Sequence, residues 1–173
     1  MEKQKASSAP QPVEVKQAAT ESDGSVWNPN NYFWEEKNYQ KWGDERLKGI
    51  LKDFKHTIFE GSLTIDEVVD FTGQCGVSIR KGKKICSFDY SAKLKWVCSL
   101  VDGKGDEVAN VKGEFHLPEI SNMVWDDEEE LEFNVTFTSG DDQRDRLYPI
   151  LKSEVALHMR ADIEQFINEL KEK

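Results

Sequence analysis

The stretch CSFDYSAKLKWVCSL, residues 86–100, alternates almost without a break. Cys86, Phe88, Tyr90, Ala92, Leu94, Trp96, Cys98 and Leu100 fall on one side; Ser87, Asp89, Ser91, Lys93, Lys95 and Ser99 fall on the other. Successive side chains of a strand point to opposite faces, so this segment reads as a strand with one buried and one wet face. That pattern belongs to antiparallel sheets. Upstream, Leu63, Ile65, Val69 and Phe71 mark a first strand, joined to the regular one through the turn Arg80-Lys81-Gly82-Lys83-Lys84. Downstream, the turn Asp102-Gly103-Lys104-Gly105 leads to a third strand with Ala109, Val111, Phe115 and Leu117 inward, which Pro118 is expected to end. A fourth strand carries Leu131, Phe133, Val135 and Phe137.

Helical periodicity flanks these strands. Leu47, Ile50, Leu51 and Phe54 recur at i, i+3, i+4 and i+7, in a helix capped by Asp44 and running to about Lys55. A long helix from Arg144 or Leu147 to Leu170 carries Leu147, Leu151, Val155, Met159, Ile163, Phe166, Ile167 and Leu170, with Pro149 in its first turn. The expected fold is α+β: a four-stranded antiparallel meander sheet with an N-terminal helix and a long C-terminal helix packed on it. Residues 1–26, rich in Lys, Gln, Ser, Ala and Pro, read as a disordered tail. Composition changes at Trp27, and residues 27–173 read as one domain.

The 173 residues carry a formal net charge of −10, which disfavours nucleic acid and anionic membranes as partners. No run is apolar and long enough to cross a bilayer, and the opening MEKQKASSAPQPVEVKQAAT lacks a signal-peptide core. Cytoplasmic residence and a monomeric state are the expectations. Cys75, Cys86 and Cys98 form no CxxC pair and read as free thiols rather than zinc ligands or a disulfide framework. His56, His116 and His158 are scattered, and no motif assembles a nucleophile with a base. Neither an enzyme nor a cofactor is expected.

Two segments stand out. Arg80-Lys81-Gly82-Lys83-Lys84 crowds four cations into one hairpin turn of an acidic protein. The turn chemistry needs only Gly82, so the cations read as a docking prong for an acidic patch, against the plainer reading of a solvated hairpin end. Asn28-Pro29-Asn30-Asn31-Tyr32-Phe33-Trp34 pairs turn-forming residues with three consecutive aromatics, either a strap packed on the domain or an anchor for a partner. The acidic run Asp126–Glu130 reads as a solvated loop.

The aromatic–Asn segment resembles the NxNNWHW signature of the family of activators of the heat-shock protein 90 ATPase, and Arg80–Lys84 resembles its RKxK motif. Trp42, the strand Tyr90–Trp96 and Lys112-Gly113 ahead of Pro118 fit the same pattern, so the resemblance spans Trp27 to Leu170. Two departures stand out: Tyr32 replaces the usual Trp, and Phe33 replaces the usual His, which removes a titratable group. The resemblance implies a fold of two helices on an antiparallel sheet. It also implies binding to the chaperone's middle domain and a faster ATPase cycle. Arg80, Lys81 and Lys83 would take the role of the basic motif, and Asn28, Asn30, Asn31 and Trp34 that of the aromatic–Asn motif. Larger members carry a second, lipid-transfer-like domain. A non-activating interaction domain and a small-molecule binder are the competing readings; the many inward aromatics favour a filled interior over a cavity.

Overall fold

The computed structural model describes residues 26–27, 34–58, 61–127 and 130–173. The expected tail, residues 1–26, lies outside them except for Val26, as do Asn28, Asn30, Asn31, Tyr32 and Phe33. The chain forms β1 (Glu35–Asn38), α1 (Gln40–Asp53), β2 (Lys55–Ile58), β3 (Gly61–Arg80), β4 (Lys83–Val101), β5 (Glu107–Ser121), α2 (Asn122–Asp126) and β6 (Asn134–Ser139). A 3₁₀ turn, Asp141–Gln143, then opens a long helix made of α3 (Arg144–Ile150), a π-turn (Leu151–Val155) and α4 (Ala156–Lys171).

The α+β reading holds, and β3, β4, β5 and β6 form the expected antiparallel meander. The sheet has six strands rather than four, because β1 and β2 both pair with the far edge of β3. β1 lies along Gly76–Ile79 and β2 along Gly61–Thr64, so two short segments share one long edge. Each has only four residues, too few for an alternation to stand out in the sequence.

The core lies between one sheet face and the helices. Trp96, Tyr90, Phe115, Phe133 and Phe166 are its largest fully buried side chains. Trp96 stacks on Phe115 at 5.4 Å, and Phe115 meets Phe133 at 4.5 Å, so rings fill the interior. The inward set of β4 is buried from Phe88 to Leu100, while Cys86 is only half-buried.

In β3 the inward set is Leu63, Ile65, Val68 and Phe71 rather than one containing Val69. Bulges between Ile65 and Glu67 and between Val68 and Asp70 each insert one residue and reset the alternation, leaving Val69 exposed. Pro118 does not end β5. It sits at a register shift between Leu117 and Ile120, where a missing N–H breaks no ladder bond. α1 starts at Gln40, four residues before the expected cap; Asn38 Oδ1 accepts from the Gln40 N–H at 2.7 Å. Its apolar stripe is placed as expected, with Leu47, Ile50, Leu51 and Phe54 buried, and Lys55 already belongs to β2. β6 is shorter than expected: Leu131 and Phe133 precede it, though Phe133 is buried.

Pro149 lies inside α3, beyond its first turn, and the π-turn follows two residues later. A proline there removes one backbone donor and crowds the preceding turn, and the wider π closure is a recognised accommodation.

Candidate partner-docking site at the hairpin tip

Arg80 pairs with Lys83, leaving Lys81 and Gly82 as a two-residue turn. Their φ angles are 51° and 73°. Positive φ at both central residues is the primed turn that matches the right-handed twist of a long hairpin. Gly82 meets the requirement without strain; Lys81 is the only non-glycine residue with positive φ among the described residues. Arg80, Lys81, Gly82 and Lys83 are exposed, and Lys84 is half-buried. No salt bridge among the described residues engages these cations. Four positive charges therefore stand at the hairpin end, and the local potential opposes the sign of the molecule's net charge.

Trp34, the last residue of the second motif, is brought to the same place. β1 runs antiparallel to β3, with Glu35 opposite Ile79 and Asn38 opposite Gly76. Trp34 therefore stands one position further out, level with Arg80, and is 61% exposed. Asn28, Asn30, Asn31, Tyr32 and Phe33 lie outside the described residues. Spacing alone could not show this convergence, because 45 residues separate Trp34 from Arg80 and a four-residue strand joins them.

Sequence reasoning did not single out the tip's surroundings. Ile85 is exposed beside the turn, and Met123 is exposed on α2. A groove of about 590 Å³ lies under the hairpin, with Lys83, Lys84, Cys86, Trp125, Ile167 and Lys171 among its walls. The signal for it was faint: α2 has five residues and falls where a strand was expected to have ended at Pro118.

The model of the family described as "Activator of Hsp90 ATPase, N-terminal" matches residues 36–173. The chain belongs to this family. It is 26% identical over 151 residues to "Activator of 90 kDa heat shock protein ATPase homolog 1" of Homo sapiens, covering 87% of this chain and 42% of that relative. It is 35% identical over 100 residues to "Hsp90 co-chaperone HCH1" of Saccharomyces cerevisiae, covering 54% of this chain and 65% of that one. The crystal structure of Aha-1 from Plasmodium falciparum superimposes with a TM-score of 0.67 at 27% identity, over 79% of this chain and 88% of that chain. The solution structure of the human Aha1 N-terminal domain shares the fold, with a TM-score of 0.55 at 24% identity over 78% and 94% of the two chains. The chain spans about two-fifths of the length of the human relative. The match of this Aha1-type domain begins at residue 36, so the aromatic–Asn segment Asn28–Trp34 lies just ahead of it and the basic turn within it.

Cys75, Cys86 and Cys98 are free thiols. Burial pushes Cys75 and Cys98 up to about 11, and Cys86 is raised as well, chiefly by burial. At neutral pH these are packing groups rather than nucleophiles.

Proposed function

We propose that this chain acts as an Hsp90 co-chaperone: it binds the middle domain of Hsp90 through the hairpin tip and accelerates the ATPase cycle. The observation that carries the reading is the β1–β3 register, which sets Trp34 level with Arg80 and so gathers an exposed aromatic and four cations at one end of the molecule. Such a surface joins a desolvating anchor to charges that steer the encounter. The names of relatives at 26% and 35% identity, which describe an activator of the Hsp90 ATPase and an Hsp90 co-chaperone, support the choice of partner. An activator of this kind works by differential binding: it speeds a slow closure only by holding the competent arrangement better than the open one.

The test is the ATPase rate of Hsp90 against rising amounts of the protein, beside an Arg80→Ala/Lys81→Ala/Lys83→Ala variant. The rate is expected to rise with the native chain and to lose most of that rise with the variant. A folded variant that stimulates as well as the native chain removes the tip from the mechanism. One relative, 35% identical over the matched stretch, is named only as a co-chaperone. Binding without any rise in rate would therefore assign this chain the role of a non-activating partner.

A further inference from the structure

β4 is longer than the strand that flanks it. β5 joins β4 only from Asp89, opposite Ser121, so among the described residues Lys83 to Phe88 has β3 on one side and no strand on the other. In a two-residue hairpin the pair next to the turn exchanges both backbone bonds, and the pattern then alternates. Lys83, Ile85 and Ser87 thus turn their peptide groups to β3, while Lys84, Cys86 and Phe88 turn theirs outward. At the inner end of this free edge the side chain of Asn122 stands in for a strand. Its Oδ1 accepts from the Phe88 N–H at 2.8 Å, and its Nδ2 donates to the Cys86 carbonyl at 3.1 Å. The N–H groups of Lys84 and Cys86 and the Lys84 carbonyl continue the edge with no such cover among the described residues.

The edge opens onto the groove under the hairpin. Lys83, Lys84 and Lys171 stand in its walls against two carboxylates, Asp126 and Glu164, and Arg80 and Lys81 at the turn tip the balance further to positive. Lys84 and Lys171 both lie close enough to the Cys86 thiol to favour its charged form, so they converge on the strand edge. Trp125 lines the groove, and its indole N–H is buried with no acceptor among the described residues. The site therefore offers backbone N–H donors and three ammonium groups against two carboxylates and the Lys84 carbonyl, a surplus of positive charge.

We propose that the free edge of β4 at Lys84–Cys86, together with the Trp125 groove, takes an extended acidic segment of the partner protein as an added strand. The inference rests on the reading of the hairpin tip as the docking end. Strand addition supplies main-chain bonds along the edge, and every second side chain of the guest falls over the apolar wall at Trp125 and Ile167. The guest's other side chains fall on the opposite face of the sheet, where Lys83 stands beside its cross-strand partner Arg80, so the guest is an alternation of acidic and aliphatic residues.

The probe is a fluorescent octapeptide of alternating Glu and Val, titrated into the isotope-labelled full chain and followed by nuclear magnetic resonance and anisotropy. Saturable shifts are expected at the Lys84 and Cys86 amides and at the Trp125 indole N–H. The Lys84→Glu/Lys171→Glu variant is expected to lose at least about tenfold in affinity. Replacing a central Val of the peptide by Pro is expected to cost as much, because it removes a backbone donor. Lys84→Pro, whose lost N–H faces away from β3, is expected to weaken binding well beyond Lys84→Ala, with both variants folded by circular dichroism.

Shifts confined to residues 80–83, with the Pro peptide binding equally well, would leave only a charge contact and overturn strand addition. Edge shifts that depend on protein concentration without peptide would assign the edge to a second copy, and absence of saturation would also overturn the proposal. The assay contains no Hsp90, so missing peptide binding beside intact ATPase stimulation discards the groove alone. Peptide binding without stimulation discards the activator reading alone.

Discussion

Lys81 holds a φ of 51°, a conformation that favours Gly and Asn over a residue with a long side chain. Its backbone strain and its charge pull in opposite directions. Lys81→Asn is expected to stabilise the fold by about 0.5–1 kcal/mol, read by urea denaturation, while lowering stimulation of the Hsp90 ATPase. A variant that gains stability and keeps full stimulation would show the Lys81 charge to be idle. A second residue-scale expectation concerns Arg46 and Glu169, which join α1 to α4 through two parallel hydrogen bonds of 2.6 Å each. The hydrogen-bonded Arg46 guanidinium holds the Glu169 carboxyl below the usual carboxylate range. A depressed folded value means stability that is present above the unfolded pKa and lost as pH falls through the folded one. The side chains are 37% and 32% exposed, so solvent screening limits the pair to about 0.5–1 kcal/mol. Arg46→Ala should therefore lower the melting temperature at pH 7, and the difference from the native chain should shrink below about pH 4. A gap that persists into acid would show that packing of the arginine stem, not its charge, is what was lost.

At the scale of elements, α1 offers a paired test. Gly49 has nothing within 4 Å of where a Cβ would stand, whereas at Gly43 a Cβ would come within 2.8 Å of the Cys75 Cβ and 2.5 Å of the Tyr90 hydroxyl. Gly49→Ala is expected to stabilise by about 0.5–1 kcal/mol through helix propensity, and Gly43→Ala to destabilise by about 1–3 kcal/mol through overpacking. Chemical denaturation of both checks the sign. The long helix shows what a sequence can and cannot disclose. Leu147, Leu151, Val155, Met159 and Ile163 recur every four residues, all fully buried or nearly so. In a straight α-helix each four-residue step drifts by about 40°, and several in a row would carry the stripe away from the sheet. The π-turn at Leu151–Val155 takes up more residues per turn and brings the stripe back. The unbroken run of fours is thus a sign of the π-turn as well as of a helical face. The bulges of β3 left no such sign, because Val68 and Val69 suit either face and only pairing with β4 chooses between them.

For the molecule as a whole, the sheet order and helix placement were written in period-two and near-four patterns of apolar residues. What escaped were segments held by partners rather than by pattern: β1, β2 and α2. The basic turn was legible because its charges exceed what a turn needs; its nearness to Trp34 was not, since it depends on β1 finding β3. Two whole-molecule outcomes follow from the charge and the burial. An acidic protein with a positive tip should bind Hsp90 more weakly as salt rises, mainly through slower association, and the Arg80/Lys81/Lys83 variant should lose most of that dependence. A salt response unchanged in the variant would place the charged contact elsewhere. Cys75 and Cys98 are 6% and 0% exposed, so a thiol reagent at pH 8 should label half-buried Cys86 first and the other two only on unfolding. Early labelling of Cys98 by mass spectrometry would reveal opening of the sheet centre.

The uninterrupted course of β4 has a mechanical consequence. Its 19 residues run from the basic turn at Lys83 to Val101 at the opposite pole, a contour of about 60 Å. Whatever grips the tip therefore holds one end of a stiff lever whose fulcrum lies outside the core. A tilt of about 10° at the grip would swing the far pole by about 10 Å on a lever of that strand length. Small reorientations of a bound partner would thus become large sweeps of the body.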